Sequence, residues 1–368
     1  MNKFQTLIPR FALATILLCL CQLGVAQQTH SVLDSLARDA VRQSHAPSIS
    51  VAVIRPDTIY VGQHGKLRID RDTPVSLDTQ YHLGSNTKAV TSLLAFQQIE
   101  LGKLALHSKF LDYFPGLRKL AEQSGYGEIT LGDLLSHRAG IPAFTAGVDY
   151  VGVGPFTGSI QEQRLAFARV VLSRKPVETG TYSNAGFVLA AMMLELVTAK
   201  SYEENVADLM KELELEHGFG FPSKYGVGNA FGHWIEKGEL TVIENDNSYQ
   251  LAAYMAPAGD LSMNIVDYAH FVQEHLNGIE GHSKLLTDYA YSVMHFEEDK
   301  TGYGWANLLP AQRVSIHDGS IGTFYAHTIV SPDNLAAVVV LSNAAEPNHV
   351  DAIYKLRQAV IDGLHHFD

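Results

Sequence analysis

The apolar residues of this 368-residue chain follow a strand's period towards both ends and a helix's period in between, and that order restricts the folds open to it. Residues 49–55 are an apolar, β-branched run with the length of a buried strand, and 58–63 can pair with it across the turn Arg55-Pro56-Asp57. Helical spacing marks 31–44, and a helix starting near Ser85 carries Ala89, Val90, Leu93, Leu94 and Ile99 on one side. From about 101 to 220 the chain reads as helix and loop, with helical spacing over 131–136, 161–172, 185–199 and 202–213. Strand-like runs return at 303–309, 313–317, 323–330 and 335–342, closed by an amphipathic helix over 349–364. This order predicts an α+β fold: one antiparallel sheet built from both ends and flanked by helices, with a mainly helical subdomain inserted at about 101–220. No repeat, low-complexity tract or proline-rich linker divides residues 27–368, which read as a single domain.

The first 26 residues read as a secretory signal peptide. Lys3 and Arg10 precede an apolar stretch over 11–26 that ends in the small residues Gly24-Val25-Ala26. This mostly apolar stretch of sixteen residues falls short of the ~20 that span a bilayer, so cleavage after Ala26 is expected rather than stable membrane insertion. The expected location is secreted or periplasmic. Both cysteines, Cys19 and Cys21, lie inside this stretch, so the processed chain has neither a disulfide nor a thiolate metal site. Cleavage leaves 25 basic against 39 acidic residues, a net charge of −14. Such a surface repels phosphate backbones, and nucleic acid is excluded as a partner.

The chemistry begins with Gly84-Ser85-Asn86-Thr87-Lys88. Positions i and i+3 of a helix share a face, so the Ser85 hydroxyl and the Lys88 amine point into one space. A buried lysine has a lowered pKa and can take the proton that makes serine a nucleophile. By itself this spacing occurs by chance about once in such a chain. Two further groups support it. Tyr182-Ser183-Asn184 follows a turn and precedes a strong helix; Tyr182 can share or relay the serine proton, and Asn184 offers a donor and an acceptor for a substrate amide, although such residues often only cap a helix. His317-Asp318-Gly319-Ser320 ends a strand, where a glycine lets a ligand lie against the edge and the Ser320 N–H can face a carbonyl oxygen.

The order S-x-x-K, Y-x-N, H-x-G resembles the serine β-lactamase-like, penicillin-recognising hydrolases. It is most similar to the branch with class C β-lactamases, D-Ala-D-Ala carboxypeptidases, D-aminopeptidases and esterases. The stretch LLSHRAGIP at 134–142 is similar to that branch's LLSHTSGLP, APAGDL at 256–261 to its APAGGL, and Tyr303-Gly304-Trp305 to its YGLGW. The resemblance implies that Ser85 is the acylated nucleophile and that Lys88 and Tyr182 form the coupled base. It further implies that Asn184, His317, Asp318, Gly319 and Ser320 bind substrate, with the N–H groups of Ser85 and Ser320 as oxyanion hole. The implied chemistry is two-step acyl transfer on a small-molecule or peptide substrate, with no cofactor and no metal.

One departure bears on the substrate. Asp318 stands where β-lactamases have threonine, and an aspartate pointing into the cleft would repel a substrate carboxylate. Neutral esters, or amides and peptides with a free amine, are therefore expected over β-lactams and D-Ala peptides. The alternatives are a true β-lactamase or D-Ala-D-Ala carboxypeptidase, an acyltransferase, and a non-catalytic peptidoglycan-binding homologue. The nucleophile elbow G-x-S-x-G is absent, as is H-E-x-x-H, and the pairs His270/His275 and His365/His366 lack helical metal-ligand spacing.

Overall fold

Eight strands make one sheet from segments far apart in the chain. The computed structural model describes residues 26–297, 300–309 and 312–367; residues 1–25 of the expected signal peptide lie outside them. The strands are β1 (Ala26–Thr29), β2 (Ser48–Ile54), β3 (Thr58–Gly65), β4 (Lys300–Thr301), β5 (Ala306–Leu309), β6 (Val314–Ser320), β7 (Tyr325–Ser331) and β8 (Ala336–Ser342). Their spatial order is β1-β3-β2-β8-β7-β6-β5-β4. The first and last thirds meet where β2 pairs with β8, Val51 opposite Val340. All neighbours are antiparallel except β1, which runs parallel to β3. Four residues of mixed polarity at a sheet edge carry no alternation that would announce a strand.

Helices cover both faces. On one, α1 (Ser31–Ser44) and α8 (Pro347–Asp362) bury Leu33, Ala37, Ile353, Leu356 and Val360 against Val51, Val53, Val338 and Val340. On the other lie α2 (Thr87–Glu100), α6 (Ile265–Ile279), α7 (Asp288–Phe296) and a helical layer of α3 (Ile160–Ser173), α4 (Asn184–Thr198) and α5 (Tyr202–Glu212). Successive residues of β2 face opposite cores, so Ala52 and Ile54 join this second, larger one. Within the helical layer the fully buried Arg164 of α3 donates to Glu195 of α4 and to Glu203 of α5 (2.5 Å), joining three helices through one guanidinium. A small sheet of Gln80–His82, Leu261–Asn264 and Gly218–Phe219 sits just ahead of Ser85.

Candidate active site

Ser85 lies in a 3-10 turn, Gly84–Asn86, immediately before α2. The Gly84 N–H donates to His82 Nδ1 (3.0 Å), so the other ring nitrogen carries the proton and donates to Asp260 Oδ1 (3.2 Å). Thr87 Oγ1 donates to the Gly84 carbonyl (2.7 Å) and accepts the Leu261 N–H (3.1 Å). Asn86 Nδ2 donates to the Ala326 carbonyl of β7 (3.0 Å), tying the turn to the sheet. Gly84 has φ +52°, and a Cβ there would stand 2.5 Å from Ser320 N. Only glycine meets both conditions.

Lys88, fully buried, places its amine against three oxygens: Ala258 O (2.5 Å), Asn184 Oδ1 (2.7 Å) and Ser85 Oγ (3.2 Å). Burial pushes its pKa well below the ordinary lysine value. A neutral amine has two N–H groups and one lone pair. The carbonyl and the amide oxygen only accept, so they take both N–H groups and the lone pair is left for the serine hydroxyl. In its neutral form the Lys88 amine thus faces the Ser85 hydroxyl with its lone pair.

Tyr182, 37% exposed at the mouth of the cleft, directs its hydroxyl to Ser85 while the Lys88 amine lies 4.7 Å from its ring centre. Burial of the hydroxyl end and the charge of Asp318 hold the phenol above its ordinary pKa, against the lowering effect of the Ser85 bond. The phenol is therefore held in its neutral form. Asn184, at the start of α4, donates from Nδ2 to the Phe144 carbonyl (3.0 Å) and accepts Lys88 on Oδ1, which fixes its orientation. One N–H and one lone pair remain for a ligand. The helix cap belongs to its neighbour: Ser183 Oγ accepts the Gly186 N–H (3.1 Å).

β6 brings up the third group. His317 is 7% exposed and its pKa is lowered to about 4, first by burial and then by Lys88. Its Nδ1–H donates to the Asp318 carbonyl (2.9 Å), so Nε2 is an acceptor. Gly319 packs so closely on the serine turn that a Cβ would lie 2.0 Å from Leu83 O. β5 pairs with β6 at Val314 and Ile316, and among the described residues no strand covers the edge beyond, from His317 to Ser320.

Asp318 corrects an expectation. Strand residues alternate, so with His317 and Gly319 towards Ser85 the carboxylate faces the other side of the sheet. There it accepts from His327 Nδ1 (2.6 Å), directly opposite on β7, and from the Tyr354 hydroxyl of α8 (3.0 Å). Burial works to raise the Asp318 pKa, but these partners outweigh it and the carboxyl is held below its ordinary value. The Asp318 carboxylate faces away from the cleft; its charge reaches the cleft as a field felt at Tyr182 and His317.

Sequence reasoning missed the residues that position the motif. The Ala258 carbonyl and Asp260, the partner of nearby His82, lie far along the chain from Ser85. His137, with φ +62°, stacks on Tyr182 (ring centres 4.3 Å apart), and its Nδ1 accepts the Ser183 N–H (3.0 Å). Burial, then Lys88 and His317, lower its pKa to about 3, so it serves as a neutral acceptor. The stretches 134–142 and 256–261 contained the signal, because their likeness to family segments has no local structural reason. Among the described residues no group of three or more His, Asp, Glu or Cys side chains is arranged to hold a metal.

The Beta-lactamase family model matches residues 33–361. Protein flp of Staphylococcus aureus (strain MW2) is 22% identical over 319 residues, 84% of this chain and 62% of that protein, so the chain spans less than two thirds of that relative's length. Penicillin-binding protein 4 of Amycolatopsis lactamdurans is 25% identical over 329 residues, 83% of each chain. The octameric penicillin-binding protein homologue from Pyrococcus abyssi superposes with a TM-score of 0.71 at 25% identity, over 89% of this chain and 77% of that one. A class C beta-lactamase does so with a TM-score of 0.70 at 19% identity, over 89% and 95%, a likeness of fold. With its α+β architecture and a family match running from α1 into α8, this chain belongs to the beta-lactamase family and has the serine β-lactamase/transpeptidase fold.

Proposed function

We propose that this protein is a secreted or periplasmic serine hydrolase that cleaves an ester or amide bond of a small molecule or peptide through an acyl-enzyme on Ser85. The observation that carries the reading is the Lys88 amine, buried, with both N–H groups engaged by acceptors and its lone pair towards Ser85 Oγ at 3.2 Å. In the first step the serine proton passes to Lys88, Oγ bonds to the substrate carbonyl carbon, and the tetrahedral oxyanion is held by the N–H groups of Ser85 and Ser320. The proton then moves through the Tyr182 hydroxyl to the leaving oxygen or nitrogen as its bond to carbon breaks. Water repeats the sequence: its proton goes to the same base, its oxygen takes the acyl group as a carboxylic acid, and Ser85 recovers its hydrogen.

The test is covalent labelling. An alkyl fluorophosphonate should add the mass of its phosphonyl group to the purified protein at Ser85, with loss of fluoride. Ser85→Ala should take no label and lose at least ~1000-fold in ester hydrolysis. Full activity in Ser85→Ala would remove the nucleophile assignment. Secretion is checked separately, by recovering the protein outside the cytoplasm with Gln27 as its first residue.

A further inference from the structure

A cavity of about 500 Å3 opens between Asn184 and Ser320, the residues that flank the nucleophile on either side. Its size suits a small organic group. One wall is Phe144 and Tyr150, whose rings meet edge to face and whose hydroxyl–carbonyl bond (2.9 Å) closes the loop between them. The opposite wall is Tyr249, Leu251 and Ile321; Tyr249 is braced by Trp234 and donates its hydroxyl to the Ile321 carbonyl. No side chain lining the cavity is charged. Two cations lie near these walls and neither is part of the lining: Arg174 is stacked on the Phe144 ring (4.5 Å) and held by the Asp149 carbonyl (2.8 Å), and the exposed Lys224 donates to Gln250 Oε1 (3.3 Å) and to the Asn247 carbonyl (3.4 Å).

The groups around Ser85 supply no cation either. Lys88 is a buried amine with its N–H groups spent, and His317 and His137 are neutral imidazoles at neutral pH. The charges felt at the cleft are negative: Asp318, behind the strand, acts on Tyr182, and Asp149, behind the other wall, acts on Tyr150. A substrate carboxylate entering here leaves water with no cation in the lining to pair with and meets an unfavourable field. A free amine finds no carboxylate in the lining: Asp318 is bound by His327 and Tyr354, and Asp149 accepts the Thr145 and Ala146 N–H groups. An apolar group gains by burial between two aromatic walls.

We infer that the substrate is an uncharged ester or amide whose acyl group carries an apolar chain or ring, seated between Phe144–Tyr150 and Tyr249–Ile321, and that acyl groups bearing a carboxylate are rejected. This rests on the acyl-enzyme reading above and narrows it to a substrate class.

The experiment compares two esters of equal length and the same leaving group, 4-nitrophenyl pentanoate and mono-4-nitrophenyl glutarate, with fluorophosphonate labelling of Ser85 run in parallel. The expected kcat/KM ratio is at least ~10 in favour of the pentanoate. Gln250→Lys on one rim, and Thr145→Lys on the other, should each raise the glutarate rate relative to the pentanoate by ~3-fold or more. Labelling of each variant confirms that it is folded. Equal rates for the two esters in a protein whose Ser85 is labelled overturn the inference and leave the hydrolase reading standing. A wild-type preference that neither lysine shifts places the discrimination outside the cavity and also overturns it. Absence of both labelling and hydrolysis takes down the acyl-enzyme reading and the inference together.

Discussion

The ionisation of Lys88, which the proposed acyl-enzyme chemistry makes part of catalysis, works against folding. In the unfolded chain it titrates near the ordinary lysine value of 10.5, and in the fold well below it. Between those two pKa values the unfolded state binds a proton that the folded state does not, so stability rises with pH across that window. Lys88→Met lacks this dependence but leaves the Ala258 and Asn184 oxygens without their donor. The difference in Tm, wild type minus Lys88→Met, should therefore grow in the wild type's favour as pH is raised towards 10, whatever its sign at neutral pH. A constant difference would mean that Lys88 is charged in the fold. The same lowered pKa fixes the direction of the rate profile: log kcat/KM should fall with unit slope on the acid side as the amine is protonated. That Ser85 and Lys88 share a face was legible from their spacing, but only the groups at 182–184 and 317–320 raised that spacing above chance. The facing of Asp318 was legible too, because period two along β6 sends it opposite to His317 and Gly319, and that rule outranks the family position it occupies.

Between elements, the contact that matters most is the end of β6 against the turn before α2. Gly319 is there for clearance: its absent Cβ would overlap Leu83 O at 2.0 Å and crowd Asn86 N at 2.9 Å, both backbone atoms that cannot swing aside. Gly319→Ala is expected to move the strand edge off the serine turn, lowering kcat/KM by ~100-fold or more. It should also reduce stability by ~2–4 kcal/mol, read as a lower denaturant midpoint. An alanine variant with unchanged kinetics would show that the turn yields without disturbing Ser85. Element boundaries followed the sequence closely where one face is apolar, as in α1 and α3. They were invisible in α6, where Tyr268, Ala269, Phe271, Val272, Gln273 and His275 are all buried and the polar–apolar contrast that marks a surface helix is lost. The His137 and Ala258 contacts could not be read from periodicity, since they depend on which distant turn reaches Lys88 and Tyr182.

At the scale of the molecule, the sheet has two cores and depends on both ends of the chain. α8 covers Val51, Val53, Val338 and Val340 with Ile353, Leu356 and Val360, and its Tyr354 reaches the back of the catalytic strand at Asp318. A chain ending at Ala345 exposes this valine-rich face and should partition into the insoluble fraction, a result checked by sedimenting lysates of full-length and shortened protein. A soluble, active product would show that α1 suffices for that side.

The pairing of β2 with β8 joins residues about 290 positions apart, such as Ile49 with Ser342. Its consequence concerns time. The serine and its lysine are synthesised in the first quarter of the chain, but the strand edge they work against is hung on β7 and β8, which are made near the end. Under the acyl-enzyme reading proposed above, a nascent or still-threading polypeptide carries the nucleophile unarmed, and acyl-transfer competence arrives only after the last strand has docked beside the second.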